Sequence, residues 1–339
     1  MNWCSISLSL NTRDAIIYPI YSHCFEPSLL QIRLFIPEAP ATCCFRSLCA
    51  KLFYETVKNS EMRKIARDPE HLLNELAEEF LPDCVDYWRE FNRFRFNLKQ
   101  LLPLLPPGSS VLDLGAGNGV MSVALQQAGV NVTAADNWRP YSPPGSRQDE
   151  PSMLRMGERD RILERLETHK VRAVETDLIK GNLPLSDGTF DVVIIMAVIE
   201  HFPGSPKKIL EEAKRVLKPG GILVIEVPNL AALRNRLKLL IGRSIHFSIE
   251  DWYESDPFYG HFRELTRAEL KKHADFLGMK TLWIRTSDSS FHNTKYPDGH
   301  YERKYKFNSI FQIAKALYLL ACLPFPTLQF QIVLAAKKI

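Results

Sequence analysis

No Cys-x-x-Cys pair occurs in this 339-residue chain, and only two of its seven cysteines, Cys84 and Cys322, lie beyond residue 49. The total is odd, so neither a disulfide framework nor a zinc site of paired thiols is indicated. Reduced thiols and a cytoplasmic location are expected. No stretch reaches the roughly 18 to 20 unbroken apolar residues of a membrane-spanning helix. The N-terminus lacks the basic start, apolar run and small-residue cleavage site of a secretory signal, and it is not the Arg-rich, acid-poor segment of a transit peptide. A stripe of cations interleaved with aromatics is also missing. Lys and Arg number 43 against 39 Asp and Glu, and a pI near 8.6 permits an anionic partner without arguing for nucleic acid. No internal repeat is present. A chain with 45% hydrophobic and 24% charged residues is an ordinary globular one, long enough for a sizeable core.

Residues 1–61 differ in texture from the rest. They hold five of the seven cysteines and only ten charges, and prolines cut their short apolar pieces before any period develops. They read either as an upstream extension outside the fold, with a working start near Met62, or as a cap on it. From 62 to 107 the pattern is that of a helical cap. Asp68-Pro69 suits an N-cap and first helical position, Leu72, Leu73, Leu76 and Phe80 follow at helical spacing, and a second helix runs from about Cys84 to Leu102. Strands then alternate with helices: Val111–Leu114, Val130–Ala135, Val171–Thr176, Phe190–Val198 and Ile222–Val227, with later strands near 281–285 and 330–335. Lys218-Pro219-Gly220-Gly221 is expected to stop the helix before the fifth strand. This rhythm predicts an α/β fold, a Rossmann-like doubly wound seven-stranded sheet over 108–339 with the helical cap ahead of it. Insertions are expected at about 137–168 and 291–327.

The informative stretch is Val111-Leu112-Asp113-Leu114-Gly115-Ala116-Gly117-Asn118-Gly119. A Gly-rich strand-to-helix turn lets a ligand approach the backbone and meet the helix N-terminus. A dinucleotide fingerprint needs a small residue where Val120 stands, and a P-loop needs Gly-Lys-Ser/Thr, which Asn118-Gly119-Val120 is not. Asp113 is awkward beside a pyrophosphate but suits a ligand carrying cationic groups. The pattern therefore favours S-adenosylmethionine over NAD. Asp136, at the end of the second strand, is placed to take both hydroxyls of a ribose.

On these residues the chain resembles the class I S-adenosylmethionine-dependent methyltransferases, in particular the small-molecule branch around ubiquinone biosynthesis. Thr176-Asp177-Leu178 looks like the family segment that contacts adenine. Leu183 to Asp191 and Leu217 to Gly221 match two further motifs, and Ile199-Glu200-His201-Phe202 resembles the segment lining the cofactor pocket. The resemblance spans about 105–290 and the last strand. It implies S-adenosylmethionine as cofactor, held by Asp113, Gly115, Ala116, Gly117, Asn118, Gly119, Asp136, Asn137, Asp177, Leu178, Ala197 and Glu200; no metal is expected.

Methyl transfer from a sulfonium is an in-line displacement, and a hydroxyl acceptor benefits from a base. His201 and His261 are the two candidates, each weighed against a purely structural role. Met196-Ala197-Val198-Ile199 is not the segment that accompanies amino methylation of nucleic-acid bases, and no cysteine lies between 84 and 322 to serve as a nucleophile. The expected activity is methylation of a small molecule, lipid or glycan, at oxygen. A non-catalytic subunit of this fold, an RNA or protein methyltransferase and a nicotinamide-dependent oxidoreductase are the rivals. Trp138 and Tyr141 belong to a loop that could close over the acceptor. Leu230, Leu233, Leu237, Leu240 and Ile241 form a stripe flanked by Arg234, Arg236, Lys238 and Arg243, and 310–323 is mostly apolar. Core packing is the first expectation for both segments, and peripheral membrane contact through 230–243 and 310–323 the second. The sequence leaves the oligomeric state open.

Overall fold

Alternation at period two within the apolar runs decides the architecture. Val111, Val192, Ile194, Val224 and Val333 face one buried cluster, while Leu112, Leu114, Val193, Ile195, Leu223, Ile225 and Leu334 face another. Strands whose neighbouring residues are both buried belong in a sheet covered on both sides. The computed structural model describes residues 67–80, 87–138, 158–254, 258, 260–288, 317–318, 320–322 and 324–339. The expected extension 1–61, Tyr141 and most of the insertion at 291–327 lie outside them.

The described elements are α1 (Pro69–Phe80), α2 (Tyr87–Leu101), β1 (Ser110–Leu114), α3 (Val120–Gln127), β2 (Asn131–Asp136), α4 (Glu158–Thr168), β3 (Arg172–Glu175), β4 (Phe190–Met196), α5 (Lys207–Val216), β5 (Leu217–Pro228), α6 (Leu233–Leu240), α7 (Ile249–Glu254), α8 (Arg267–Phe276), β6 (Met279–Ser287) and β7 (Gln331–Lys338). The sheet order is β3-β2-β1-β4-β5-β7-β6, with β7 antiparallel to both neighbours and the other pairings parallel. The expected doubly wound seven-stranded sheet is thus present. Leu73, Leu76, Phe80, Phe91, Leu98 and Leu101 of α1 and α2 join α3 and α4 on one face. Ile209, Leu210, Ala213 and Val216 of α5, with Leu270 and Ala274 of α8, cover the other. Thr266 starts α8 with a capping box to Glu269.

Two local expectations change. Lys218-Pro219-Gly220-Gly221 lies inside β5, because Leu217 already pairs with Phe190 across a register shift that absorbs the proline. Lys218 Nζ reaches Asp191 Oδ1 at 2.8 Å and anchors the strand's start. The second change concerns α6. Core packing is overturned for the far part of its leucine stripe: Leu237, Leu240 and Ile241 are 48%, 81% and 66% exposed, whereas Leu230 and Leu233 are half-buried and Asn235 is the buried residue of the helix.

Parallel register aligns the carboxyl ends of the central strands. Leu114 is level with Ala135 on β2 and with Ile195 on β4. Gly115, Asp136 and Ala197 consequently emerge on one rim. The order of strands reverses between β1 and β4, where a doubly wound sheet opens a crevice for ligands.

Candidate active site

The turn after β1 requires glycine for two separate reasons. Gly115, Gly117 and Gly119 have φ of 81°, 55° and 86°, in the left-handed region that side chains disfavour. A Cβ on Gly115 would also overlap Val198, and one on Gly119 would lie 2.9 Å from Leu166 Cδ2. Around Gly117 no atom lies within 4 Å of that position, so the middle of the turn faces open space. Gly115 N–H donates to Ala135 O at 2.8 Å and Gly119 N–H to Ala116 O at 2.9 Å, which fixes the loop against β2 and starts α3.

Asp136 closes this turn from the neighbouring strand. Its Oδ2 accepts from Gly117 N–H at 2.9 Å, and its Oδ1 accepts from Asn137 N–H at 2.6 Å and Trp138 N–H at 3.3 Å. Burial pushes its pKa up while those three backbone donors oppose the shift. A carboxylate has about four lone-pair directions, so room for one further donor remains. Asp113 lies beneath the turn, 3% exposed, and accepts from Ser122 Oγ on α3 at 2.7 Å. Burial is the main cause that raises its pKa to about 7, and the nearby Asp136 adds to it.

The expectation that Trp138 belongs to a lid is corrected. The residue is fully buried in the core cluster, turned inward at φ 40°, and its indole Nε1 donates to Gly117 O at 2.9 Å. It therefore clamps the glycine turn from below. No pattern in the sequence marks that role.

Farther along the rim, Asn137, Glu175, Thr176, Asp177, Lys180 and Asn182 line a cavity of about 410 Å³. Asp177 also caps the short turn 178–180, accepting from Ile179 N–H at 3.1 Å, and Leu178 packs into the core below. Polar walls beside Asp136 suit an adenosine. The open Gly117, the Asp136 carboxylate and this cavity together fit the nucleoside end of S-adenosylmethionine.

After β4 the chain turns through Ala197, a non-glycine residue at φ 56°. The turn is held by Ala197 N–H donating to Glu226 O at 3.0 Å, and Glu200 and His201 follow in a single 3-10 turn. His261 arrives from a segment tied to the same place, since Phe262 N–H and Arg263 N–H both donate to Glu200 O, at 2.8 and 3.2 Å. The two imidazoles meet edge to face at 4.7 Å. Ligand atoms of Glu200, His201 and His261 lie within 4.8 Å of one another, a set that could hold a metal ion. Phe247 stands 5.6 Å from His261, with Phe258 beyond it, so an aromatic wall adjoins the pair.

Several supporting residues carry no signal in the sequence. Glu264 Oε1 accepts from His261 Nδ1 at 3.0 Å. Asn235, 2% exposed, donates to Glu264 and to the carbonyls of Asn229 and Leu230. Arg93 of α2 reaches Glu226 at 3.0 Å, and Gln331 holds the other oxygen of Glu226 at 2.7 Å. These contacts join residues far apart in the chain. The three-residue spacing from His261 to Glu264 is the one local hint among them.

A family model described as a methyltransferase domain matches residues 87–282, more than half of the chain and all of the rim just described. The chain belongs to the class I S-adenosylmethionine-dependent methyltransferases. It is 31% identical over 151 residues to a ubiquinone biosynthesis O-methyltransferase of Haemophilus ducreyi, covering 44% of this chain and 58% of that protein. To a demethylmenaquinone methyltransferase of Paenarthrobacter aurescens it is 37% identical over 121 residues, covering 35% of this chain and 38% of the other. The chain thus spans about half the length of the curated relatives it matches. Among solved structures, a S-adenosylmethionine-dependent methyltransferase from Archaeoglobus fulgidus is 17% identical, covering 72% of this chain and 92% of that one, at a TM-score of 0.43.

Proposed function

We propose that the chain binds S-adenosylmethionine on this rim and transfers its methyl group to a hydroxyl oxygen of a small, quinone-type aromatic molecule. The observation that carries the reading is convergence: a glycine turn with open space over Gly117, closed by Asp136, shares its rim with a half-buried histidine pair and an aromatic wall. The Gly115–Gly119 backbone and Asp113 form the base of the methionine end. Asp136, Asn137, Asp177 and Leu178 take the adenosine end, and Ala197 and Glu200 form the inner wall. The cofactor supplies a sulfonium methyl. When bound, it would give that methyl carbon to the acceptor oxygen and keep the carbon–sulfur electron pair on sulfur. The hydroxyl proton would pass to His201 or His261, whose imidazole nitrogens can accept it. Phe247 and Phe258 offer faces for a flat ring, in keeping with the quinone chemistry in the names of the relatives.

The test is calorimetric titration of the full chain with S-adenosylhomocysteine, with NADH in parallel. Micromolar binding of the first alone is expected, followed by transfer of labelled methyl to a catechol or phenol. Binding of NADH alone would revive the oxidoreductase reading, and binding of neither would leave a non-catalytic subunit. Strong methyl incorporation into RNA or protein instead of phenols would move the acceptor class.

The same reading includes peripheral membrane contact. Between 237 and 253, Leu237, Leu239, Leu240, Ile241, Phe247, Ile249, Trp252 and Tyr253 are exposed, accompanied by exposed Arg236, Lys238 and Arg243. Such a basic and apolar surface suits an anionic lipid interface. Among the described residues no helix is long and apolar enough to cross a bilayer. Most of 310–323 lies outside the described residues. Co-sedimentation with anionic vesicles at low salt is expected for the native chain and is expected to fall at least fivefold in Leu240→Glu/Ile241→Glu. Equal pelleting of both proteins would remove the contact from this segment.

A further inference from the structure

We propose that Trp138 is a positioning residue for the cofactor: its indole N–H sets the orientation of the Gly117 peptide, and through it the affinity for the methionine end of S-adenosylmethionine. This deepens the methyltransferase reading above and rests on it.

Steric walls hold two of the three glycines in the turn and leave out the third. A Cβ on Gly115 would overlap Val198 and one on Gly119 would press on Leu166, so side chains enclose both positions. Around Gly117 nothing lies within 4 Å. A glycine in open space passes readily between positive and negative φ, so packing alone would let this peptide turn over. Its φ of 55° therefore depends on hydrogen bonds. Asp136 Oδ2 accepts from Gly117 N–H at 2.9 Å, and Trp138 Nε1–H donates to Gly117 O at 2.9 Å. Asp136 Oδ1 in turn accepts from Trp138 N–H at 3.3 Å. The three residues close one hydrogen-bonded circuit.

Trp138 is held in that circuit against its own backbone preference. At φ 40° it occupies the left-handed region, which a bulky side chain disfavours. Such strain persists where the surroundings over-determine it, and it concentrates at ligand-binding sites. The ring is fully buried in the core cluster, where a phenyl group would also fill space. What the indole adds is a donor. A buried indole N–H needs an acceptor, and here it is directed to the cofactor turn. A peptide unit is planar, so fixing the Gly117 carbonyl fixes the whole unit. Turned over, the unit would present its carbonyl oxygen on the opposite side and reverse the dipole next to a bound ligand.

The experiment compares the native full chain with Trp138→Phe, which keeps an aromatic ring and removes the donor. Leu73→Ala, a truncation in the same core cluster on α1, is the control for lost packing. Calorimetry uses two probes, S-adenosylhomocysteine and methylthioadenosine, the second of which lacks the amino-acid end. Trp138→Phe is expected to weaken S-adenosylhomocysteine about tenfold and methylthioadenosine less than about threefold. Leu73→Ala is expected to lower the melting temperature while leaving both affinities within about twofold. Circular dichroism establishes that each variant is folded. Should Trp138→Phe fail to fold, Trp138→benzothienylalanine, an isostere with sulfur in place of the N–H, keeps the packing and gives the same comparison. Unaltered S-adenosylhomocysteine binding by a folded variant without the donor, or an equal loss for both probes, overturns the assignment. Absence of binding to the native chain would remove the methyltransferase reading and the assignment with it, so the two failures are told apart.

Discussion

Asp136→Ala is expected to lower the affinity for S-adenosylhomocysteine by about 30- to 100-fold and to destabilise the fold by roughly 2–4 kcal/mol. Three backbone N–H groups, those of Gly117, Asn137 and Trp138, lose their acceptor at once. Removing the partner of a buried donor costs on the order of 1–3 kcal/mol each, less whatever water recovers. Part of that cost falls on stability and part on binding, where about 1.4 kcal/mol is tenfold. The turn is also the roof over Trp138, whose indole bonds to Gly117 O, so loosening one side loosens both. Asp136→Asn keeps one acceptor oxygen and should recover about half of each effect. Urea unfolding and calorimetry on the three proteins make the measurement. Equal binding by native chain and Asp136→Ala would take Asp136 out of the cofactor site.

How far the sequence reached depends on whether the determining contact was local. The central strands were readable because their residues bury both faces and leave unbroken apolar runs such as 192–196. The glycine turn was readable because left-handed backbone at 115, 117 and 119 selects one residue type. Asp136 and Asp177 sit at strand ends, where position along the chain already gives position on the rim. Trp138 was misread because an aromatic in a Pro- and Ser-rich stretch looks like a loop residue. Its inward turn depends on a partner, Gly117 O, twenty-one residues earlier. The leucine stripe of α6 was misread for the opposite reason. Its period is correct for a buried face, but no element among the described residues covers Leu237 or Leu240. The meeting of Glu200, His201 and His261 could not be read at all. It is made by backbone bonds from 262 and 263 back to 200, across about sixty residues with no ligand-like spacing.

Asp113→Asn is expected to make the chain more stable at alkaline pH and to flatten its pH dependence. Burial raises the Asp113 pKa from 3.8 to about 7 in the folded chain, against the opposing hydrogen bond from Ser122. The folded state therefore holds more protons than the unfolded state between about pH 4 and 7, and stability falls as pH rises through that window. At 1.36 kcal/mol per unit, moving from pH 5.5 to pH 8 should cost the native chain about 2 kcal/mol from this group. Asparagine does not ionise and can still accept from Ser122 Oγ, so Asp113→Asn should keep most of that stability. Ser122→Ala sharpens the test. It removes the one hydrogen bond that favours the charged form, so the native slope should steepen in Ser122→Ala. The same substitution in the Asp113→Asn background should leave the slope unaltered. Parallel slopes in the native chain and Asp113→Asn would mean that the carboxylate is solvated in solution and that the turn's foundation is looser than its buried position indicates.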